Sequence, residues 1–123
     1  MNIAHLCVLI AALLPVLTVG SAKAQPGYDN AAPRAFLGKL EGWRARANWA
    51  HQNHFEAFAP FAAGVILAEL AHAPQSRVDT LAVIFIVLRV TYTFIYISGV
   101  AALRSLVWAG GLACVVWLLV LSL

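Results

Sequence analysis

Polar side chains that could bind a small anionic molecule gather near the ends of apolar segments in this chain. Asn53 and Glu56 are three residues apart, so on a helix their side chains share one face. Tyr92 and Tyr96 are four residues apart and would share a face in the same way. Arg104 opens a further apolar run. Ionisable groups at membrane depth are costly and usually serve a function, so these residues predict a site at a membrane boundary.

The composition indicates that membrane-spanning helices carry these side chains. Of the 123 residues, 63% are hydrophobic and 11% are charged, whereas soluble domains are about half apolar and about a quarter charged. Helices suit lipid because they satisfy every backbone polar group internally. We therefore predict one all-α membrane domain over residues 1–123. Its helices are expected at about 3–20, 34–72, 78–98 and 105–122, the second with a cytoplasmic extension.

The basic residues predict the orientation of the chain in the membrane. Five of the eight lie in one hydrophilic stretch: Lys23, Arg34, Lys39, Arg44 and Arg46. An excess of Lys and Arg marks cytoplasmic loops, so we expect a multi-pass protein with its N-terminus outside. The pattern does not indicate nucleic-acid binding, because the basic residues flank apolar segments and no nucleic-acid motif accompanies them.

The first apolar segment has two interpretations. Ala22, Lys23 and Ala24, followed by Gln25, fit a signal-peptidase site, and cleavage there would leave three helices. Against this, no Lys or Arg precedes the segment, and basic residues follow it. That distribution favours a retained helix, with a mature protein that begins at Gln25 as the alternative.

Three local motifs, taken in order, resemble those of the MAPEG family (membrane-associated proteins in eicosanoid and glutathione metabolism). They are Asn-x-x-Glu at 53–56, Arg-Val-Thr-Tyr-Thr-Phe-Ile-Tyr at 89–96 and Arg-Ser-Leu-Val-Trp at 104–108. The resemblance covers essentially the whole chain and is nearest to the small bacterial members. It implies a bundle of four transmembrane helices in a bacterial inner membrane, assembled as a homotrimer with sites between subunits.

The same resemblance implies a ligand and an activity. The ligand would be glutathione, and the protein would be a membrane-bound glutathione-dependent transferase or peroxidase that acts on a lipophilic small molecule. Carried over by position, Asn53 and Glu56 would bind the glutathione peptide, and Glu56 would hold its free amine. Tyr92 and Tyr96 would line the site.

Two arginines complete the set that the resemblance implies. Arg46 would hold a carboxylate of glutathione. Arg104 would be the catalytic residue, because a cation in a partly dry site stabilises a thiolate and lowers the pKa of the glutathione thiol.

Three positions depart from the leukotriene C and prostaglandin E synthase branches and favour a second interpretation. Trp49 stands where those members carry an arginine, His51 where they carry a glutamine, and Ala57 where they carry a tyrosine. The alternative is a non-catalytic membrane protein of the same fold that binds or presents a lipid. In that protein the polar cluster would fasten the helices together.

The remaining ionisable groups have structural explanations. Arg89 lies near the middle of its segment and needs a partner there, such as Asn53 or Glu56. An ion pair of Glu56 with Arg89 or Arg104 is the structural alternative to a ligand site. His51 and His54 lie on adjacent turns, but no third ligand accompanies them, so we expect no metal site.

Overall fold

The chain folds entirely into helices, as its composition predicts. The computed structural model describes residues 1–123 and contains no strand. Its helices are α1 (Ile3–Lys23), α2 (Pro33–Gly38), α3 (Gly42–Leu70), α4 (Gln75–Ser98) and α5 (Ala101–Val120). The four long helices have the internally hydrogen-bonded backbone that a lipid environment demands.

Three helices are long and apolar enough to cross a membrane. They are α1, α4 and α5, with 21, 24 and 20 residues and mean hydropathies of 2.4, 2.0 and 1.9. A rise of about 1.5 Å per residue makes each about 30 Å or longer, the thickness of the hydrocarbon core. The chain is therefore a membrane protein. The longest helix, α3, has 29 residues, but its polar first half and two glutamates lower its hydropathy.

The predicted second helix is divided, because the chain bends between α2 and α3. Pro33 opens α2, where its missing N–H costs nothing. Gly42 opens α3 with a φ of 61°, a left-handed conformation that favours glycine. The N-cap of α2 is Ala32, and the Asp29 carboxylate accepts a hydrogen bond from a backbone N–H two residues later.

The core forms around α3, which contacts each of the other three long helices. Phe61 of α3 stacks on Phe85 of α4, with ring centroids 4.0 Å apart and planes 9° from parallel. Gly64 lies where α3 meets α5, and a Cβ there would stand 3.1 Å from the Leu118 Cβ. Small residues at such crossings let helices approach closely, which membrane helices need because apolar burial against lipid gains little.

A polar cluster at the opposite end from Asn53 aligns three helices. The Glu69 carboxylate accepts hydrogen bonds from Asn2, at the N-terminus of α1, at 2.9 Å and from Gln75 of α4 at 3.0 Å. It also pairs with His5 at 2.6 Å. These bonds fix the positions of α1, α3 and α4 relative to one another along the helix axes. They therefore also determine which side chains of these helices meet at the other end.

The close approach at Gly64 generates the first prediction. Gly64→Leu should lower the free energy of unfolding by about 1–3 kcal/mol, because the new side chain must displace Leu118. Gly20→Leu is the matched control, since nothing lies within 4 Å of a Cβ there. Thermal unfolding in detergent measures both. Equal melting temperatures for the two variants would contradict the close packing of α3 on α5.

Candidate functional site

A buried cation, Arg89 of α4, is the centre of the polar end of the bundle. Its side chain is only 3% exposed. Its Nη2 donates to the Asn53 Oδ1 at 2.8 Å. Asn53 is one of the partners that the sequence suggested for Arg89. The Arg89 Nη2 and Nε also donate to the Nδ1 of His54, at 2.8 and 3.2 Å. The guanidinium lies over the Tyr92 ring, 4.3 Å from its centroid, which adds a cation–π attraction.

These contacts determine the proton positions on His54. An arginine can only donate, so the Nδ1 that faces Arg89 carries no proton. A neutral imidazole then has its proton on Nε2, which lies 2.7 Å from the Thr93 Oγ1 and donates to it. The Thr93 hydroxyl donates in turn to the Arg89 backbone carbonyl at 2.9 Å. His54, itself 3% exposed, is therefore neutral.

The orientation of Asn53 follows from its bond to Arg89. Because its Oδ1 accepts from the guanidinium, its Nδ2 is left for other partners. The Nδ2 lies 3.4 Å from the Glu56 Oε2, on the face that the three-residue spacing predicts. That long contact leaves the Asn53 amide and the Glu56 carboxylate free to bind a ligand.

Four of the six sequence-predicted site residues line one recess between α3, α4 and α5. The recess has a volume of about 340 Å³, and its lining is Asn53, Tyr92, Tyr96, Arg104, Ser105 and Trp108. The rings of Tyr92 and Tyr96 meet edge to face at 5.4 Å. The Arg104 guanidinium lies 4.7 Å from the Tyr96 ring centroid. A cation, two phenols and an amide therefore converge on this space.

Arg46, the fifth candidate, lies in an adjoining cavity of about 90 Å³. Tyr96 and Arg104 line both spaces, so the two adjoin at these side chains. The Arg46 Nε donates to the Ile97 carbonyl at 2.8 Å, near the end of α4. That bond holds the guanidinium beside the recess and leaves its other N–H groups to bind an anion.

Glu56, the sixth candidate, lines a second adjoining cavity of about 170 Å³ with Asn53 and Arg89. Most of the remaining lining is apolar: Ala57, Pro60, Phe85, Trp108, Gly111, Leu112 and Val115. Glu56 is exposed and lies within 4.0 Å of no basic side chain, since His5–Glu69 is the only acid–base side-chain pair at that distance. The structural alternative, a Glu56 pair with Arg89 or Arg104, is therefore not observed.

The charges around these three spaces are unequal. Arg46, Arg89 and Arg104 supply three cations, and Glu56 supplies one carboxylate. Since none of them pairs with another, the site is complementary to a molecule with more than one anionic group and a single ammonium group.

The three departures from the family pattern have defined positions. Trp49 lines the cavity that holds Arg46. His51 is turned towards α1, where its Nδ1 donates to the Pro15 carbonyl at 2.9 Å. Ala57 lines the apolar cavity beside Glu56. Of these three side chains, only that of His51 links two helices through a hydrogen bond.

His54 is the residue that sequence reasoning missed. It lies directly after Asn53 and contacts the same Arg89 guanidinium. The signal in the sequence was the need of Arg89 for a partner. No group of three metal-binding side chains exists in the structure, and the hydrogen bonds of His51 and His54 go to α1 and α4 respectively.

The helices and the polar site together define an α-helical integral membrane protein with a polar site at one end of α3. A family model described as the MAPEG family matches residues 3–123. The chain therefore belongs to the MAPEG family, as its motifs indicated. No curated protein and no solved structure matches the chain.

The neutral acceptors around Arg89 generate a stability prediction. His54→Leu should lower the free energy of unfolding by about 1–3 kcal/mol, because it leaves buried N–H donors of a cation without an acceptor. The double variant His54→Leu with Arg89→Leu should recover much of that loss, since both polar groups are then gone.

Thermal unfolding in detergent measures these changes. His72→Asn is the control, because His72 is exposed and Asn tolerates its left-handed backbone. A double variant that is no more stable than His54→Leu alone would contradict the assigned pairing.

Proposed function

We propose that the protein binds glutathione in the recess and transfers or oxidises its thiolate, as a glutathione-dependent transferase or peroxidase. The observation that carries the proposal is the set of charges without ion-pair partners, three arginines and one glutamate, around adjoining cavities. Glutathione carries two carboxylates, one ammonium group and a thiol, so its charges match that set. Membership of the MAPEG family supports the same ligand class.

The ammonium group, one carboxylate and one acceptor oxygen of glutathione have partners in this assignment. The Glu56 carboxylate binds the ammonium group, and the Arg46 guanidinium binds a carboxylate. The Asn53 Nδ2, which faces away from Arg89, donates to a carbonyl or carboxylate oxygen. Tyr92 and Tyr96 line the recess and supply hydroxyl groups.

Arg104 acts on the sulfur. A guanidinium beside the thiol favours the thiolate, which is the reactive nucleophile. In conjugation, the thiolate attacks an electrophilic carbon and displaces a leaving group such as chloride. In peroxide reduction, it attacks the outer oxygen of a lipid hydroperoxide and an alcohol leaves. Glutathione then becomes a sulfenic acid, which a second glutathione converts to the disulfide.

The apolar cavity beside Glu56 is the proposed position of the lipophilic partner. Asn53 and Trp108 line both this cavity and the polar recess. A substrate held against Phe85 and Leu112 would therefore meet the thiolate at the wall that the two spaces share.

The proposed placement has four spanning helices and the site at the cytoplasmic boundary of a bacterial inner membrane, with the N-terminus outside. Contacts of α3 with α1, α4 and α5 support a crossing by α3, because it lies alongside three helices that are apolar enough to span. The basic stretch from Lys23 to Arg46, which ends in the first turns of α3, supports the orientation.

A homotrimer is proposed from the uncovered face of α3. Exposed residues recur along it at helical spacing: Gln52, Phe55, Glu56, Ala59, Ala63 and Ile66. Polar side chains at membrane depth face protein or water rather than lipid, and small residues favour close helix contacts. Copies of the same chain would cover this face and enclose the site between subunits.

A second candidate function is lipid binding without chemistry. It is favoured by the apolar cavity that Ala57 lines and by the structural role of His51, which holds α1 instead of facing the recess. In that case a lipid chain would occupy the cavity, and the polar end would hold its headgroup.

The glutathione assignment predicts saturable binding by calorimetry and turnover of a chloronitrobenzene by the detergent-purified protein. Arg104→Ala should lower kcat by about 10²-fold, because it removes the cation that stabilises the thiolate. Its affinity for glutathione should change much less. Arg77→Ala, an exposed arginine at the opposite end of α4, is the matched control and should keep wild-type kinetics.

Two outcomes contradict separate parts of the assignment. Absence of both binding heat and turnover in the wild type would refute glutathione as the ligand and leave lipid binding. Full activity of Arg104→Ala would refute the role of Arg104 even if turnover is real.

A further inference from the structure

Asn53 has its orientation in the recess fixed by side chains that lie outside it. The amide of an asparagine has an accepting end and a donating end. The Arg89 guanidinium donates to the Asn53 Oδ1 at 2.8 Å. A reversed amide would place N–H donors against N–H donors in a buried position, so Arg89 determines which end of Asn53 faces the ligand.

Arg89 is fixed in turn by His54. Two of its nitrogens lie within 3.2 Å of the His54 Nδ1. That nitrogen accepts only while the imidazole is neutral and protonated at Nε2, and the Thr93 Oγ1 is the group that accepts from this Nε2–H. Without the Thr93 oxygen, the proton has no acceptor at Nε2, and a proton on Nδ1 would oppose Arg89.

We propose that Thr93 and His54 are positioning residues for ligand binding, acting through Arg89 on Asn53. Neither of them lines the recess. We call the ordered set Thr93–His54–Arg89–Asn53 the relay. Because Arg89 occupies the Asn53 oxygen, the Asn53 side chain acts only as a hydrogen-bond donor towards the ligand. The identity of the ligand rests on the proposed function.

The relay also restricts the chemistry that the recess accepts. The Asn53 Nδ2 donor and the Glu56 carboxylate acceptor lie 3.4 Å apart. A ligand that satisfies both must present an acceptor oxygen next to an ammonium or N–H group. Amino acids and peptides with a free α-amine carry these groups on one carbon, whereas neutral lipid headgroups without nitrogen do not.

Two threonines on α4 give a matched test of the relay. Thr93 and Thr91 both donate to the carbonyl four residues earlier, at 2.9 and 2.8 Å, but only Thr93 accepts from His54. Thr93→Val should raise the Kd and KM for glutathione by about 10-fold, the loss of roughly one well-oriented hydrogen bond. Its kcat should stay within about twofold, because Arg104 is untouched.

Thr91→Val should behave as the wild type in the same assays. A Thr93→Val variant with the same Kd, KM and kcat as Thr91→Val would overturn the relay. A fall in kcat without a change in KM would also overturn the relay, since a residue that positions Asn53 for binding should change KM and leave kcat nearly unchanged.

The nitrogen-15 spectrum of the histidine side chains tests the relay without glutathione. The His54 signals, assigned by their loss in His54→Asn, should show a neutral ring with its proton on Nε2. Thr93→Val should change this pattern and Thr91→Val should not. A His54 ring that is charged or protonated on Nδ1 in the wild type would overturn the relay. Failure of the wild type to bind glutathione would instead refute the proposed function.

Discussion

The structure depends on one costly group, the Arg89 cation buried between α3 and α4. A buried cation without partners is strongly unfavourable, and a carboxylate is its usual partner. Here neutral acceptors and an aromatic face take that place: Asn53, His54 and the Tyr92 ring. As a consequence, Glu56 forms no ion pair and stays available to a ligand. The recess and its two adjoining cavities therefore keep charges that a ligand with both anionic and ammonium groups would satisfy.

The same constraint links the two ends of the bundle. At one end, Glu69 of α3 contacts side chains at the N-terminus of α1 and on α4. These contacts set the positions of the three helices relative to one another along their axes. At the other end, these positions bring Arg89 level with His54 and Asn53. The apolar contacts between, such as Phe61 on Phe85, hold the helices close enough for both polar clusters to form. The polar residues of α3 lie on two faces, and they have defined partners or line cavities.

The sequence was sufficient for features that depend on local periodicity. Apolar runs predicted the helices, and the spacings of Asn53 with Glu56 and of Tyr92 with Tyr96 predicted shared faces, which the structure contains. Features that depend on long-range partners were not predictable in this way. Nothing local to His54 shows that it accepts from a residue 35 positions away, and nothing local to Glu69 shows that it meets His5. The break before Gly42 depends on a left-handed backbone that several other glycines in the chain do not adopt.

The most direct test is an experimental structure of the protein in a lipid bilayer with glutathione at saturating concentration. We expect the glutathione sulfur beside Arg104, its ammonium group at Glu56 and its acceptor oxygen at the Asn53 Nδ2, with Asn53 still accepting from Arg89. A recess without glutathione, together with a Glu56 carboxylate bonded to Arg89, would contradict this binding mode.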